Sequence, residues 1–119
     1  MTEKISIKLP WPPSILSPNS RACWQKKHRA RKKYKSACAW MAVGSKKPVF
    51  LSGVKIPVHI IFHPPTKARR DEDNMIACLK AALDAVAAAW GVDDSQFTLT
   101  HEVGSVVKGG AVLVETVYG

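Results

Sequence analysis

The stretch Asp71-Glu72-Asp73-Asn74-Met75-Ile76-Ala77-Cys78-Leu79-Lys80-Ala81-Ala82-Leu83-Asp84-Ala85-Val86-Ala87-Ala88-Ala89-Trp90-Gly91 decides the architecture of this 119-residue chain. Met75, Leu79, Val86 and Trp90, with Leu83 or Ala82 between them, recur at the spacing of a helix with one apolar face. Gly91 stops it, as glycine does at helix C-termini. Asp71, Glu72 and Asp73 gather at its mouth, where carboxylates complement the helix dipole.

Working outward, Ile5, Ile7 and Leu9 alternate with Ser6 and Lys8 as in a half-buried strand. Pro10, Pro12 and Pro13 end it, since proline cannot donate to a ladder. From about Trp24 to Val43 the pattern is helical, with Ala30, Tyr34, Cys38 and Met41 on one face and Gly44 and Pro48 beyond its end. Val54, Ile56, Val58, Ile60 and Phe62 alternate as a second strand, and Pro57 argues for an edge position or a bulge. His63-Pro64-Pro65-Thr66 breaks it. Two closing strands, about 97–107 and 111–118, are joined by Lys108-Gly109-Gly110, read as a hairpin turn. The order β-α-β-α-β-β predicts an α+β fold: one domain over 1–119, a small mixed β-sheet of about four strands with two helices packed on it.

The chain carries 18 Lys and Arg against 9 Asp and Glu, a formal charge of +9, which points to a polyanionic partner. No apolar run approaches the roughly 20 residues that span a bilayer, and the first residues lead into a strand rather than a signal peptide. The expected compartment is the cytoplasm. Cys23, Cys38 and Cys78 are odd in number and widely spaced, so neither a disulfide framework nor a zinc finger is expected. Cys78 reads as a small buried hydrophobe. His28, His59, His63 and His101 lack metal-ligand spacing, and no phosphate loop or dinucleotide fingerprint is present.

In so basic a chain, acid concentrated at two places is conspicuous: Asp71-Glu72-Asp73, and Asp93-Asp94 some twenty residues later. Carboxylates repel a polyanion unless a divalent cation bridges the two. Asp71 and Asp73 offer two oxygen ligands for Mg²⁺, and Asp94 offers a third. The competing structural reading is that the first cluster caps the helix and Asp93-Asp94-Ser95 is turn chemistry. Lys80 lies seven residues after Asp73 and so on the same helix face, though an ion pair with Asp84 is the plainer role for it.

Leu9-Pro10-Trp11-Pro12-Pro13-Ser14 with Asn19 and Arg21, then Arg70-Asp71-Glu72-Asp73-Asn74, Lys80-Ala81-Ala82-Leu83-Asp84-Ala85 and Asp93-Asp94-Ser95-Gln96, together resemble the RusA-type Holliday junction resolvases. These motifs span most of the chain in the family's order. The resemblance implies a homodimeric, Mg²⁺-dependent endonuclease, with Mn²⁺ as a substitute, that resolves four-way junction DNA by paired nicks in recombination and repair. Such enzymes are bacterial or phage-encoded. It places metal-site aspartates at Asp71, Asp73 and Asp94 and the catalytic lysine at Lys80. In the family's best-known arrangement that lysine follows the first aspartate by six residues, where this chain has Ala77. Lys80, three residues on, corresponds to the longer-spaced version.

A helix from 71 to 90 is about 30 Å long, too long for Asp71 and Asp94 to share one ion. Either the helix is shorter and the chain doubles back, or a second subunit completes the site, with antiparallel helices across a two-fold axis.

Arg21, Lys26, Lys27, Arg29, Arg31, Lys32, Lys33 and Lys35 put eight cations into fifteen positions. With Lys67, Arg69 and Arg70 they would track DNA phosphates, Arg69 and Arg70 at the scissile one. Trp11 and Trp24 flank the intervening loop and are read as closing the core rather than stacking on bases. The alternatives to the junction endonuclease are a structure-selective DNA-binding protein without catalysis and a Mg²⁺ nuclease without junction preference.

Overall fold

The computed structural model describes residues 3–17, 20–44, 54–67 and 72–118. The elements are β1 (Glu3–Pro10), α1 (Trp24–Val43), β2 (Ile56–His63), α2 (Glu72–Trp90), β3 (Phe97–Val103) and β4 (Ala111–Tyr118), in the expected order. Short 3-10 turns at Ser14–Leu16 and Asp94–Gln96 lead out of β1 and into β3.

The strands form one mixed sheet in the order β1-β4-β2-β3. β4 runs antiparallel to both β1 and β2, while β3 runs parallel to β2. One face is apolar: Ile5, Ile7 and Leu9, Val112 and Val114, Ile56, Val58, Ile60 and Phe62 are all buried. Both helices cover that face, α1 through Tyr34, Cys38 and Ala42, and α2 through Leu79, Ala82, Val86 and Trp90. The α+β class with a four-stranded mixed sheet and two helices therefore holds. The other face is polar and is tied by side chains. His59 bridges Thr100 (2.7 Å) and Glu102 (2.9 Å), and Lys4 pairs with Glu115 at 3.2 Å.

Three expectations are corrected. β3 and β4 are not a hairpin. β3 ends at Val103, and the chain then crosses the end of β2, where Gly104 N–H bonds Phe62 O (2.8 Å) and Val107 N–H bonds Pro64 O (3.0 Å). β4 consequently joins β2 on its opposite side. Lys108-Gly109-Gly110 is still a tight turn, closed by Gly110 N–H to Val107 O at 2.8 Å, with Gly109 and Gly110 at φ 80 and 75.

Pro57 sits in an interior strand, not at an edge. The β2–β4 ladder begins only at Val58, so the N–H that proline lacks falls beyond it, while Thr116 Oγ1 donates to Pro57 O at 2.7 Å. On α1, Ala42 rather than Met41 continues the buried stripe of Tyr34 and Cys38, at i+4 steps.

Candidate active site on the second helix

α2 owes its shape to alanine and leucine on nearly every side. Ala81, Ala82, Leu83, Ala85, Val86 and Ala87 are all buried, which leaves one narrow outward stripe. At 100° per residue, Asp73, Ala77, Lys80, Asp84 and Ala88 fall within a sector of about 80°. All are exposed except Asp84, which is half-buried. Every charged residue of α2 except Glu72 lies on this stripe. Glu72, in the first turn, stands 4.0 Å from His101 of β3.

The stripe borders a cleft of about 320 Å³ lined by Lys80, Asp84, Ala77 and Cys78 of α2, Arg31 of α1 and Leu16 of the first 3-10 turn. Ala77 and Lys80 thus face one space, and the lysine three residues on from the family's usual position still looks into it. Lys80 and Asp84 form no ion pair among the described residues, so the plain structural role for the lysine is not taken up.

At its C-terminal end α2 reverses sharply. Gly91, at φ 72, donates to Ala88 O (3.2 Å), and Val92 donates to Ala87 O (3.0 Å), the double bond of a Schellman ending. Val92 tucks against the core, and the following residues fold back beside the helix. Asp94 consequently meets Asp84, and both line a shallow hollow with Asp93, Ala88 and Val92. The Asp84 carboxyl, and then that of Asp93, push the Asp94 carboxyl above its ordinary value by hydrogen bonding and like charge.

Asp93 behaves differently. Its carboxylate accepts from Ser95 N–H at 3.0 Å, and this bond above all lowers its pKa. Gln96 Oε1 in turn accepts from Asp93 N–H (3.1 Å), and Gln96 Nε2 donates to Val54 O (3.0 Å). The turn reading therefore holds for Asp93, while Asp94 is left facing a second acid. Sequence reasoning missed Asp84 as a member of this group. The usable signal was the Gly91-Val92 ending, which sends the chain back along the helix.

α2 contains 19 residues and is about 28 Å long at 1.5 Å per residue. The helix is not shortened, and the reversal brings Asp94 only as far back as Asp84, eleven residues and about 17 Å along α2 from Asp73. Among the described residues no group of three His, Cys, Asp or Glu side chains is arranged to hold a metal ion. Asp71, Arg69 and Arg70 lie outside the described residues.

Lys67 is exposed after β2, and Arg29, Arg31, Lys32 and Lys33 are exposed along α1. Trp11 packs edge-on against Phe62 (6.1 Å) and closes the core as expected. Trp24 does not: it is 70% exposed and touches His28 edge-on. Cys38 and Cys78 are buried, and burial pushes the Cys38 thiol up to about 11 and that of Cys78 upward as well. No helix among the described residues is long and apolar enough to cross a membrane.

No protein-family model matches the chain. It is 34% identical to an uncharacterized protein of Xylella fastidiosa (strain Temecula1 / ATCC 700964) over 120 residues, 96% of this chain and 76% of that protein. The two belong to one family. The match therefore takes in nearly all of this chain. That relative's name states no activity.

Proposed function

We propose that this chain is a Mg²⁺-dependent endonuclease that resolves four-way DNA junctions, working as a homodimer whose active sites draw on both subunits. The observation that carries this reading is the line of Asp73, Lys80, Asp84 and Asp94 along the exposed side of α2, beside a helix covered in cations. The resemblance of the motifs to RusA-type resolvases supports it independently of the geometry.

The donor set suits a hard divalent cation. It consists of carboxylate oxygens, and Asp94 is held against Asp84 at a cost in like-charge repulsion that a cation would relieve. Asp71, Asp73 and Asp94 would hold the ion, with Asp84 beside Asp94. Magnesium, when bound, would polarise the phosphodiester and activate water for attack. The Lys80 ammonium, in the cleft that also holds Asp84, would meet negative charge developing on the phosphate. Arg31 across the cleft, with Arg69 and Arg70, holds the phosphate in register.

The length of α2 accounts for the shared site. Antiparallel α2 helices across a two-fold axis would bring Asp94 of one subunit to Asp71 and Asp73 of the other, giving two equivalent sites and two symmetric cuts. Co-expressing an Asp73→Asn chain with an Asp94→Asn chain tests this. One intact site and single-strand nicking are expected, although each homodimer is inactive. A mixed dimer as dead as its parents would sink the shared site.

Glu72 and Asp73 in the first turn of α2, where carboxylates complement the helix dipole, favour a second reading, a structure-selective DNA-binding protein without catalysis. Labelled four-way junction and linear duplex, each with Mg²⁺ or EDTA, separate the readings. Paired nicks on the junction alone support the proposal. A shifted but uncut junction supports the second reading, and cutting of both substrates indicates a nuclease without junction preference.

A further inference from the structure

The C-terminal half of α1 differs from its basic N-terminal half. After Lys35 it has no charged residue, yet it exposes Trp40 to 82%, Val43 to 74% and Met41 to 44%. At 100° per residue, Lys26, Arg29, Lys33 and Trp40 share a sector of about 60°, on the side away from Tyr34, Cys38 and Ala42. All four are exposed, so a row of three cations runs along the outer side of α1 and ends, about 21 Å from its start, on an indole ring.

Trp40 and Met41 form one wall of an apolar groove of about 460 Å³ whose other lining includes Leu9, Pro10 and Ala111, with Lys8 beside them. No acidic residue lies on α1 or in this groove. Lys26 and Lys27 sit in the first turn of α1, at the positive end of its dipole, where cations are unfavourable without an anionic partner. An exposed indole at the end of a cation row matches a nucleic-acid strand whose phosphates follow the cations and whose unpaired base meets the ring.

We infer that Trp40 is a stacking platform for an unpaired DNA base, delivered to it by phosphates held on Lys26, Arg29 and Lys33. The inference rests on the reading of the protein as a DNA-acting enzyme and deepens it. It assigns recognition of opened bases, such as those at a junction branch point, to α1, separately from the carboxylates of α2. Lys8 adds a cation where the strand leaves the groove.

The test compares binding of the full chain, by fluorescence anisotropy in EDTA, to a paired duplex and to the same duplex carrying a two-base bulge. Trp40→Ala should weaken binding to the bulged DNA about tenfold and leave duplex binding within twofold. Trp40→Phe should restore most of the affinity. Trp24→Ala, at another exposed tryptophan on the opposite side of α1, should leave the preference intact. Equal weakening on both DNAs, or none on either, would overturn the inference. So would a change in the sedimentation of free Trp40→Ala protein, which would mark the groove as an interface between copies. Wild-type protein that favours the bulge through Trp40 but nicks no junction in Mg²⁺ would sink the endonuclease reading and leave this one standing. The converse result, nicking with no role for Trp40, would sink this one alone, and a wild-type chain that binds neither DNA ends both.

Discussion

Two helices of nearly equal length, 20 residues in α1 and 19 in α2, lie side by side on one sheet under opposite rules. α2 buries all but a narrow stripe and carries three acids and one lysine. α1 buries only Tyr34, Cys38 and Ala42 and carries seven cations with no acid. The charges of α2 agree with its dipole, Glu72 and Asp73 standing in the opening turn, whereas those of α1 oppose it. Stability is thereby concentrated in α2 and charge in α1. A helix that gains so little from burial and sits so poorly in its own field fits the proposed contact with DNA.

The contrast can be broken most decisively in the core. Leu79→Ala on α2 should cost about 2 to 5 kcal/mol in urea unfolding, whereas Lys33→Ala on α1 should stay within about 0.5 kcal/mol. Comparable costs would erase the distinction. Next, replacing Lys26, Arg29 and Lys33 together by glutamine should flatten the plot of log affinity against log salt by about 3, near 0.9 for each phosphate no longer neutralised. An unchanged slope would mean that α1 does not face DNA.

The seam between the helices should respond to alkali. Burial holds Cys38 at about 11 against an ordinary 9.0, and the Tyr34 phenol, which donates to Pro10 O at 2.7 Å, is raised as well. Above pH 9 the unfolded chain therefore binds fewer protons than the folded one. This contribution is whole below pH 9 and lost as pH climbs through 11. Urea midpoints at pH 7, 9 and 10.5 should fall in that order, and less steeply in Cys38→Ala.

Gly91→Ala, at φ 72, should cost about 1 to 2 kcal/mol and loosen the reversal that brings Asp94 to Asp84. The smallest effect sharpens the acidic side. With its pKa raised, Asp94 favours folding only when protonated, so near pH 7 its charge opposes the fold. Asp94→Asn should slightly raise the melting temperature at pH 7 while abolishing cleavage, and a fall in melting temperature would contradict the crowding.

Much of this was legible in the sequence because it is local. The periodicity of Met75, Leu79, Val86 and Trp90, the alternation in β1 and β2, and the stop at Gly91 each depend on a few neighbouring residues. Which strands pair does not. Lys108-Gly109-Gly110 has hairpin composition, and only the bonds of Gly104 and Val107 to the end of β2 carry the chain across to its other side. Pro57 is tolerated for an equally remote reason, the point where β4 begins to pair. In the candidate site, Asp94 and Lys80 could be found by type and spacing. The neighbour that crowds Asp94 depends on how α2 ends, and the exposure of Trp24 and Trp40 depends on how little of α1 the sheet can cover.

Among the described residues β1 is hydrogen-bonded to β4 alone, Glu3 standing opposite Tyr118. Until β4 emerges during synthesis, β1 lacks this partner and β2 lacks one of its two among the described residues. Closing that ladder joins segments about a hundred residues apart, a separation that slows folding. Maturation is therefore expected to be late and cooperative, and chains cut short before β4 should be captured by chaperones or degraded rather than accumulate as partly active fragments.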